Sequence, residues 1–568
     1  MKTCSGLAAS TGIAIGPLFV YRPADVRVER RTVRDAVAEQ VRYDAARSAV
    51  AETLRQMAER LEAAGKEEEA GIFEIQLEFL EDPTFGDAVH TRIGEESTNA
   101  EAAVRTVTDE LVAEFAEIED DYFAQRTADI QDLGDRVIRT LSGVTDTPLD
   151  ALTEPSVVIA HDLTPSDTAS MDPERVLALV TEVGSATSHT AILSRGLGIP
   201  SIVGLGAMVE EPGATVIVDA IKGRLIVDPD EETLERYRRE KAAWDARRDR
   251  LLASALEPAV TTDGVSVEVV ANIGSVAEAR QSLAFGAEGA GLLRTEFLFL
   301  DRPDLPSEDE QYTMYRQIAD AYGSRPLIVR TLDVGGDKPI PSIDLAPEQN
   351  PFLGQRAIRL ALADPDRLLY PQLRALFRAS DGRNIKIMFP MVATAGEIRQ
   401  LKAAVASVRT ELQQAGTPFD GSVEVGIMVE IPAAAVAAHR LAPLVDFFSI
   451  GTNDLTQYTL AADRTNETVA PIADYFEPAV VDLIRAVIDA SHSHGIWTGM
   501  CGEMAGDPLA LPLLLGLGLD EFSMSPSVIP DAKDRLRHLS REECRDVATR
   551  CLAAESASQI RSILEQYV

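Results

Sequence analysis

The 568-residue chain has very little cysteine: its four cysteines are Cys4, Cys501, Cys544 and Cys551. Thiols so few and so scattered exclude a disulfide framework and a cysteine-ligated zinc site. Long apolar runs are also lacking, because the stretch at 511–519 is far shorter than the roughly 20 residues of a membrane-spanning helix. The first residues lack the charged-then-apolar layout of a signal peptide. We therefore expect a cytoplasmic protein that does not insert into a membrane.

Lysine is equally scarce. Only eight of the 54 basic residues are lysine, against 91 aspartates and glutamates, and the formal net charge is −37. The carboxylates are spread along the whole chain, so this charge opposes binding to nucleic acid and to anionic membranes. Acid-rich, lysine-poor surfaces are typical of salt-adapted cytoplasmic proteins, where concentrated salt screens the repulsion. We expect a halophilic source; an ordinary acidic protein from an arginine-rich genome is the alternative.

Hydrophobic periodicity divides the first half of the chain into segments of different character. Residues 33–143 carry apolar side chains at three- and four-residue intervals, which predicts an all-helical block of three or four helices. Residues 1–32 and 144–228 hold short β-branched runs between turn residues, which predicts one small α/β domain interrupted by the helical block. Residues 229–256 are charged and have few apolar positions, which predicts a solvated linker helix.

Residues 257–568 predict a closed (β/α)8 barrel of the TIM type. Eight apolar runs alternate with helical patterns here, and eight β-then-α units in one domain of this size close into a barrel. The predicted strands are 267–273, 289–296, 326–333, 386–392, 423–430, 446–454, 497–503 and 521–526. The sequence thus predicts a multidomain α/β protein.

Polar residues stand at the ends of these strands, where a barrel of this type carries its active site. They are Arg294, Thr295, Glu296, Arg330, Asp333, Glu430, Asn453, Asp454, Cys501 and Glu503, and Arg356 and Arg464 follow the third and sixth strands. Arginine binds phosphate and carboxylate bidentately, and Mg²⁺ takes one or two carboxylates plus substrate oxygens. The pattern favours a polyanionic substrate bound with a metal; a ring of salt bridges at the barrel mouth is the alternative.

A second candidate site is Thr187-Ser188-His189-Thr190, at the predicted start of a helix. The free amides of a helix N-terminus would stabilise a phosphoryl group there, and imidazole is a competent nucleophile near neutral pH. Capping threonines beside a packed histidine are the alternative explanation of so short a motif.

Longer motifs resemble a known family. GSATSHTAILSRGLGIPSIVG, at 184–204, resembles the phosphohistidine signature of the phosphoenolpyruvate-utilising family, and DFFSIGTNDLTQYTLAADR, at 446–464, resembles that family's second signature. GLAASTGIAIGP, IFEIQLEFLEDP and WTGMCGEMAGDP extend the likeness over essentially the whole chain. The chain is similar to the Enzyme I branch of this family, the phosphoenolpyruvate–protein phosphotransferases of the sugar phosphotransferase system.

This resemblance implies roles for individual residues. His189 would be phosphorylated on Nε2, Cys501 would protonate the departing enolate, and Thr168 would contact the histidine. The implied phosphoenolpyruvate ligands are Arg294, Arg330, Asn453, Asp454 and Arg464, with Arg356 as a further one, and the implied Mg²⁺ ligands are Glu430 and Asp454. The small α/β domain would swivel, the helical block would dock the phosphocarrier protein HPr, and the barrel would form a homodimer.

The chain departs from the family pattern at two places. Gly184-Ser185-Ala186 stands where the family usually has Gly-Gly-Arg, and this change puts the rate of phosphoryl transfer in doubt more than the type of reaction. Gln355 stands where tryptophan is common. The nearest alternative enzyme, a pyruvate phosphate dikinase or phosphoenolpyruvate synthase, needs a nucleotide-grasp domain for which this chain has no room. A regulatory relay without turnover is the other alternative, but the metal ligands and Cys501 are present.

Overall fold

The computed structural model describes two compact units, Met1–Arg247 and Arg248–Val568. The described residues are 1–21, 28–63, 67–116, 121–143, 149, 152–164, 167–168, 171–172, 174–185, 188–206, 212–299, 302, 304–335, 342–343, 348–466 and 468–567. None of the helices within these ranges combines the length and apolar character needed to cross a bilayer. The predicted boundaries between a helical block and a small α/β domain within the first unit stay predictions.

The helical segment has five helices in its described part, rather than three or four. They are α1 (Ala36–Ala63), α2 (Glu67–Glu81), α3 (Pro83–Glu96), α4 (Ala100–Ala116) and α5 (Asp121–Leu141). Pro83 has no N–H to continue α2, so it starts a new helix. Asp82 caps that helix, because its Oδ1 accepts a hydrogen bond from the Thr84 amide at 2.6 Å. Buried apolar side chains such as Tyr43, Phe73 and Val89 form the core between the helices.

A mixed eight-stranded sheet completes the first unit. Its strands are β1 (Lys2–Ser5), β2 (Leu7–Ser10), β3 (Ile13–Tyr21), β4 (Ser156–Ala160), β5 (Val176–Thr181), β6 (Ser201–Val203), β7 (Thr215–Asp219) and β8 (Arg224–Val227). The spatial order is β1-β8-β7-β3-β4-β5-β6-β2, with β3 to β6 parallel. Helix α6 (His189–Leu197) lies between β5 and β6 in the chain, and its Ala191 packs against Ala9 and Val203.

The predicted linker is helix α7 (Glu231–Ala255), and both of its ends are anchored. Near its start Tyr237 is buried against the first sheet and donates a hydrogen bond to Asp219 Oδ2 at 3.0 Å. At its end the Ala255 carbonyl accepts a hydrogen bond from the buried Lys533 Nζ at 2.9 Å. The boundary between the two units falls within this helix. The helix has few apolar residues, which is why the sequence predicts a solvated segment. Two of those few, Tyr237 and Ala255, are buried and belong to the residues that make these contacts.

The second unit is a closed parallel barrel. Its strands are β9 (Ala259–Val260), β10 (Ser266–Ile273), β11 (Ala290–Leu293), β12 (Leu327–Arg330), β13 (Ile385–Phe389), β14 (Val425–Val429), β15 (Phe447–Ile450), β16 (Trp497–Met500) and β17 (Glu521–Met524). Strands β10 to β17 pair in cyclic order, and β10 closes the ring by pairing with both β11 and β17. The short β9 pairs antiparallel with β10. The predicted fold class, a multidomain α/β protein with a (β/α)8 barrel, is confirmed.

Helices surround the barrel. They are α8 (Val276–Ala284), α9 (Glu308–Tyr322), α10 (Ile358–Ala363), α11 (Tyr370–Ala379), α12 (Ala395–Ala415), α13 (Pro432–Val436), α14 (Ala438–Leu441), α15 (Thr452–Leu460), α16 (Pro478–Ser493), α17 (Leu511–Leu517), α18 (Ile529–His538), α19 (Arg541–Leu552) and α20 (Ala557–Leu564). Their apolar faces and the outer faces of the strands form one continuous core. The barrel therefore presents the carboxyl ends of its strands on a rigid base.

The strands end earlier than the sequence predicts. Arg294 follows β11, Cys501 follows β16, and Asn453 and Asp454 lie in the first turn of α15 rather than in β15. Strand pairing stops where the chain turns towards the outer helix. The pattern of apolar and polar residues in the sequence does not indicate where that turn begins. The residues still stand at the carboxyl ends of their strands, as predicted.

A buried carboxyl group lies at the opposite, amino end of the barrel strands. Glu521 begins β17 and is 2% exposed, and its neighbours in register are Glu268 on β10 and Gly499 on β16. A side chain at Gly499 would come within 2.7 Å of Glu521 Oε1, which has no hydrogen-bond partner among the described residues. Burial, reinforced by the charge of Glu268 and opposed by that of Lys386, raises the pKa of Glu521 to about 8.

We predict that Glu521→Gln stabilises the barrel at pH 8. The raised pKa means that the folded barrel favours the protonated carboxyl, so this contribution to stability is full below about pH 4.5 and is lost as the pH rises towards 8. Glutamine mimics the neutral form, so the melting temperature of the barrel should rise by a few degrees at pH 8 and by much less at pH 5. Calorimetry at the two pH values, with exposed Glu565→Gln as control, tests this. An equal shift at both pH values would contradict it.

Candidate functional site

The predicted phosphohistidine begins a helix. His189 is the first residue of α6, and Ser188 is its N-cap in an extended conformation, with no capping hydrogen bond from its side chain. The N-terminal amides of this nine-residue helix favour an anion. Thr187 and the side chain of His189 lie outside the described residues. Thr168 is buried, and its Oγ1 donates to the Thr164 carbonyl at 3.2 Å; its predicted contact with the histidine stays a prediction.

At the mouth of the barrel, carboxylates and guanidinium groups alternate in one continuous chain. Its members in order are Glu296, Arg330, Asp333, Arg356, Asp454 and Arg464. The five successive ion pairs have N–O distances of 2.7, 3.0, 3.2, 3.1 and 3.3 Å. Ion pairing of these strand-end residues is what the alternative interpretation, salt bridges around the barrel mouth, predicts. We name these six residues the mouth chain, and their predicted role in substrate binding stays a prediction.

Charge pairing in the mouth chain keeps its central arginines ionised in a buried place. The side chains of Arg330 and Arg356 are 7% and 1% exposed. Burial alone would lower the pKa of each guanidinium. The charges of Glu296 and Asp333 outweigh burial and raise the pKa of Arg330. The charges of Asp333 and Asp454 do the same for Arg356. Because removing one partner would leave the other charge buried and unpaired, the members depend on one another.

The four predicted substrate arginines differ in how many N–H donors they have left. Arg356 has used all but one of its five, because it donates to both oxygens of Asp333, to Asp454 and to Tyr458. Arg330 and Arg464 retain several, and Arg330 Nε is buried with no partner among the described residues. Arg294 is exposed, and its side chain makes no hydrogen bond or ion pair to any described residue. Arg294 is thus the most available of the four to bind an incoming anion.

Glu430, just after β14, carries an unused oxygen at the same mouth. Its side chain is fully buried; Oε1 accepts from the Met391 amide at 2.5 Å, whereas Oε2 has no partner among the described residues. Burial first, then the charges of Asp454 and Asp333, raise the pKa of Glu430, and Arg330 opposes this. A side chain at Gly451 would approach Oε2 to 3.0 Å, so glycine leaves room beside the carboxylate.

Glu430 and Asp454 suit a metal ion that protein and substrate hold together, such as Mg²⁺, better than a metal ion that the protein holds alone. Within the described ranges no three histidine, cysteine, aspartate or glutamate side chains converge on one point. Mg²⁺ commonly takes only one or two carboxylates, with substrate and water oxygens completing its shell. The orphaned Glu430 Oε2 and the carboxylate of Asp454 are hard oxygen donors of the required kind.

Two further predicted residues are fixed by local contacts. Asn453 Oδ1 accepts from the Glu503 amide at 3.0 Å, which orients its Nδ2 group. Cys501 is 6% exposed and belongs to the apolar layer inside the barrel, with Met388, Met428 and Phe447. Burial raises the pKa of its thiol to about 11, so Cys501 stays protonated at neutral pH.

Sequence reasoning missed Tyr458 and gave no role to Glu296 or Asp333. The two carboxylates stood at strand ends, and the structure shows that each pairs with arginines of the mouth chain. Tyr458 lies four residues after Asp454 on α15 and accepts from Arg356 Nη1 at 3.1 Å. Helical i,i+4 spacing from Asp454 was the available signal.

Comparison with known proteins identifies the family of this chain. Three family profiles match in order: PEP-utilising enzyme, N-terminal, over residues 5–126; PEP-utilising enzyme, mobile domain, over 152–223; and PEP-utilising enzyme, PEP-binding domain, over 248–541. The chain therefore belongs to the phosphoenolpyruvate-utilising enzyme family.

Similar curated proteins span the whole chain. A phosphoenolpyruvate-protein phosphotransferase of Bacillus sp. (strain S) is 44% identical over all of this chain and 98% of its own length. Proteins of the same name from Bacillus subtilis (strain 168) and Haemophilus influenzae are 42% and 41% identical, over 100% and 99% of this chain and over 100% and 99% of their own lengths. This chain is thus similar to these proteins from end to end.

Proposed function

We propose that this protein is a phosphoenolpyruvate–protein phosphotransferase of the Enzyme I type. It transfers the phosphoryl group of phosphoenolpyruvate to its own His189, releases pyruvate, and passes the phosphoryl group to a histidine of HPr. The observation that carries this proposal is the mouth chain, which brings three guanidinium groups together at the carboxyl ends of the barrel strands, where a small polyanion would bind. Full-length similarity to proteins of that name supports it.

The reaction assigns a separate task to each group. Arg294, Arg330, Asn453 and Arg464 bind the phosphate and carboxylate oxygens, and Arg356 is the further predicted ligand. His189 attacks phosphorus in line, the phosphorus–oxygen bond to the enolate breaks, and the arginines offset charge on the equatorial oxygens. The pyruvate enolate gains its proton at carbon from the Cys501 thiol, which then recovers a proton from solvent.

We further propose that Glu430 and Asp454 hold Mg²⁺. When bound, the ion supplies positive charge to phosphate and enolate oxygens. The unpartnered Glu430 Oε2 supports this assignment, because a buried carboxylate oxygen without a donor is costly unless a cation or proton meets it.

The remaining expectations concern partners and setting. We propose that residues 33–143 dock HPr, that residues 1–32 and 144–228 swivel with His189, and that the barrel, 257–568, forms a homodimer. We also propose a cytoplasmic location and adaptation to salt.

We predict that His189→Ala abolishes labelling by phosphoenolpyruvate. With Mg²⁺ and no nucleotide, the wild-type protein should gain an acid-labile, base-stable phosphoryl group, because phosphohistidine has that stability. His538→Ala, which changes an exposed histidine on an outer helix of the barrel, should label normally. Radiolabel transfer with peptide mapping measures both. Labelling that persists in His189→Ala, or that requires ATP, would falsify the proposal.

We predict that Cys501→Ser slows pyruvate formation by orders of magnitude. The substitution replaces the thiol by a hydroxyl, which is a much weaker acid, but leaves every arginine of the mouth chain in place, so phosphoenolpyruvate binding should change little. Steady-state pyruvate release with HPr, compared with Cys4→Ser as control, measures the rate. An unchanged turnover number would return Cys501 to a packing role.

We predict that stability and activity increase with salt. A net charge of −37 with few lysines means self-repulsion, and this repulsion is screened over about 3 Å in 1 M salt. Melting temperature and pyruvate release measured from dilute buffer to molar KCl test this. Full stability and activity in dilute buffer would refute salt adaptation.

A further inference from the structure

Tyr458 joins two elements that carry site residues. It lies on α15 one turn after Asp454, and its hydroxyl donates to the Phe352 carbonyl at 2.6 Å. The same hydroxyl accepts from Arg356 Nη1 at 3.1 Å. Because the hydroxyl has one proton and gives it to Phe352, its lone pairs are left for Arg356.

The segment that Tyr458 holds is conformationally constrained. Residues 351–353 form a single 3-10 turn, and the Arg356 guanidinium lies 5.7 Å from the centre of the Phe352 ring. Ala357 has a φ of +53°, a left-handed conformation that is unfavourable for a residue with a side chain. Such a conformation persists only where surrounding contacts determine it.

The Arg356 nitrogen that binds Asp454 also donates a hydrogen bond to the Tyr458 hydroxyl. Nη1 has two N–H groups, and it directs one to Asp454 Oδ1 at 3.1 Å and the other to Tyr458. The side chain of Arg356 is 1% exposed, so water cannot readily replace a lost acceptor.

We propose that Tyr458 is a positioning residue for phosphoryl transfer. Its hydroxyl aims Arg356 at Asp454 and ties the Arg356 segment to α15. This inference rests on the proposed function, since it acts on the same mouth chain. Tyr458 itself does not touch the substrate; it sets the placement of Arg356 and, through it, of Asp454.

The test is Tyr458→Phe in the full-length protein, assayed by pyruvate release with Mg²⁺ and HPr. Removing the hydroxyl loosens ground-state and transition-state binding alike, so KM for phosphoenolpyruvate should rise about three- to tenfold while kcat changes less than about twofold. The melting temperature should fall by no more than a few degrees, because a single buried donor loses its acceptor in a large domain. Tyr322→Phe is the matched control: it removes a buried hydroxyl that contacts Ser282 at 2.6 Å, and it should leave KM unchanged.

A double-mutant cycle separates positioning from simple destabilisation. If Tyr458 acts through Arg356, Tyr458→Phe should raise KM less than about twofold in an Arg356→Lys background. Independent, multiplicative effects would overturn the inference, as would an unchanged KM or a parallel loss of kcat and melting temperature in Tyr458→Phe. If the wild-type protein releases no pyruvate from phosphoenolpyruvate, the proposed function itself fails, which is a distinct result.

Discussion

The alternation of charges across the barrel mouth is the constraint on which the rest of the site depends. Two buried guanidinium groups are tolerable only because a carboxylate lies on each side of them, and Asp333 serves both with its two oxygens. This arrangement connects distant parts of the barrel mouth, since its members come from the segment after β11, from β12 and its loop, and from α15 and the residues just after it. The mouth chain therefore holds its guanidinium groups in place by ion pairs, which is the preorganisation that the proposed anion binding requires.

The same arrangement determines which groups remain free for chemistry. Pairing uses most donors of Arg356, leaves Arg294 exposed and unpaired among described residues, and leaves Glu430 Oε2 without a donor. Both Ala357 and Met391 have a positive φ, in the left-handed region. Ala357 follows Arg356 in the chain, and the Met391 amide donates a hydrogen bond to Glu430. Backbone strain thus occurs where the site residues are held, as expected of a preorganised centre.

The sequence was sufficient for the barrel and for the identity of most mouth residues, because β-then-α periodicity is local and active groups stand at carboxyl ends. It could not rank the arginines by available donors, since that depends on contacts such as those of Arg356 with residues far along the chain. Nor could it show that Glu521 is a buried carboxyl or that Tyr237 fastens α7, because each depends on tertiary packing. The signature around His189 was visible in the sequence.

The most direct measurement is calorimetric titration of phosphoenolpyruvate with Mg²⁺, comparing His189→Ala with His189→Ala/Asp333→Asn. Both proteins lack the proposed phosphoryl acceptor His189, so the account expects the ligand to stay intact and the titration to report binding alone. Asp333 stands at the centre of the mouth chain, and neutralising it leaves two buried arginines underpaired. The account predicts at least a tenfold loss of affinity, about 1.4 kcal/mol. Equal affinity in the two proteins would contradict the claim that the mouth chain organises the site.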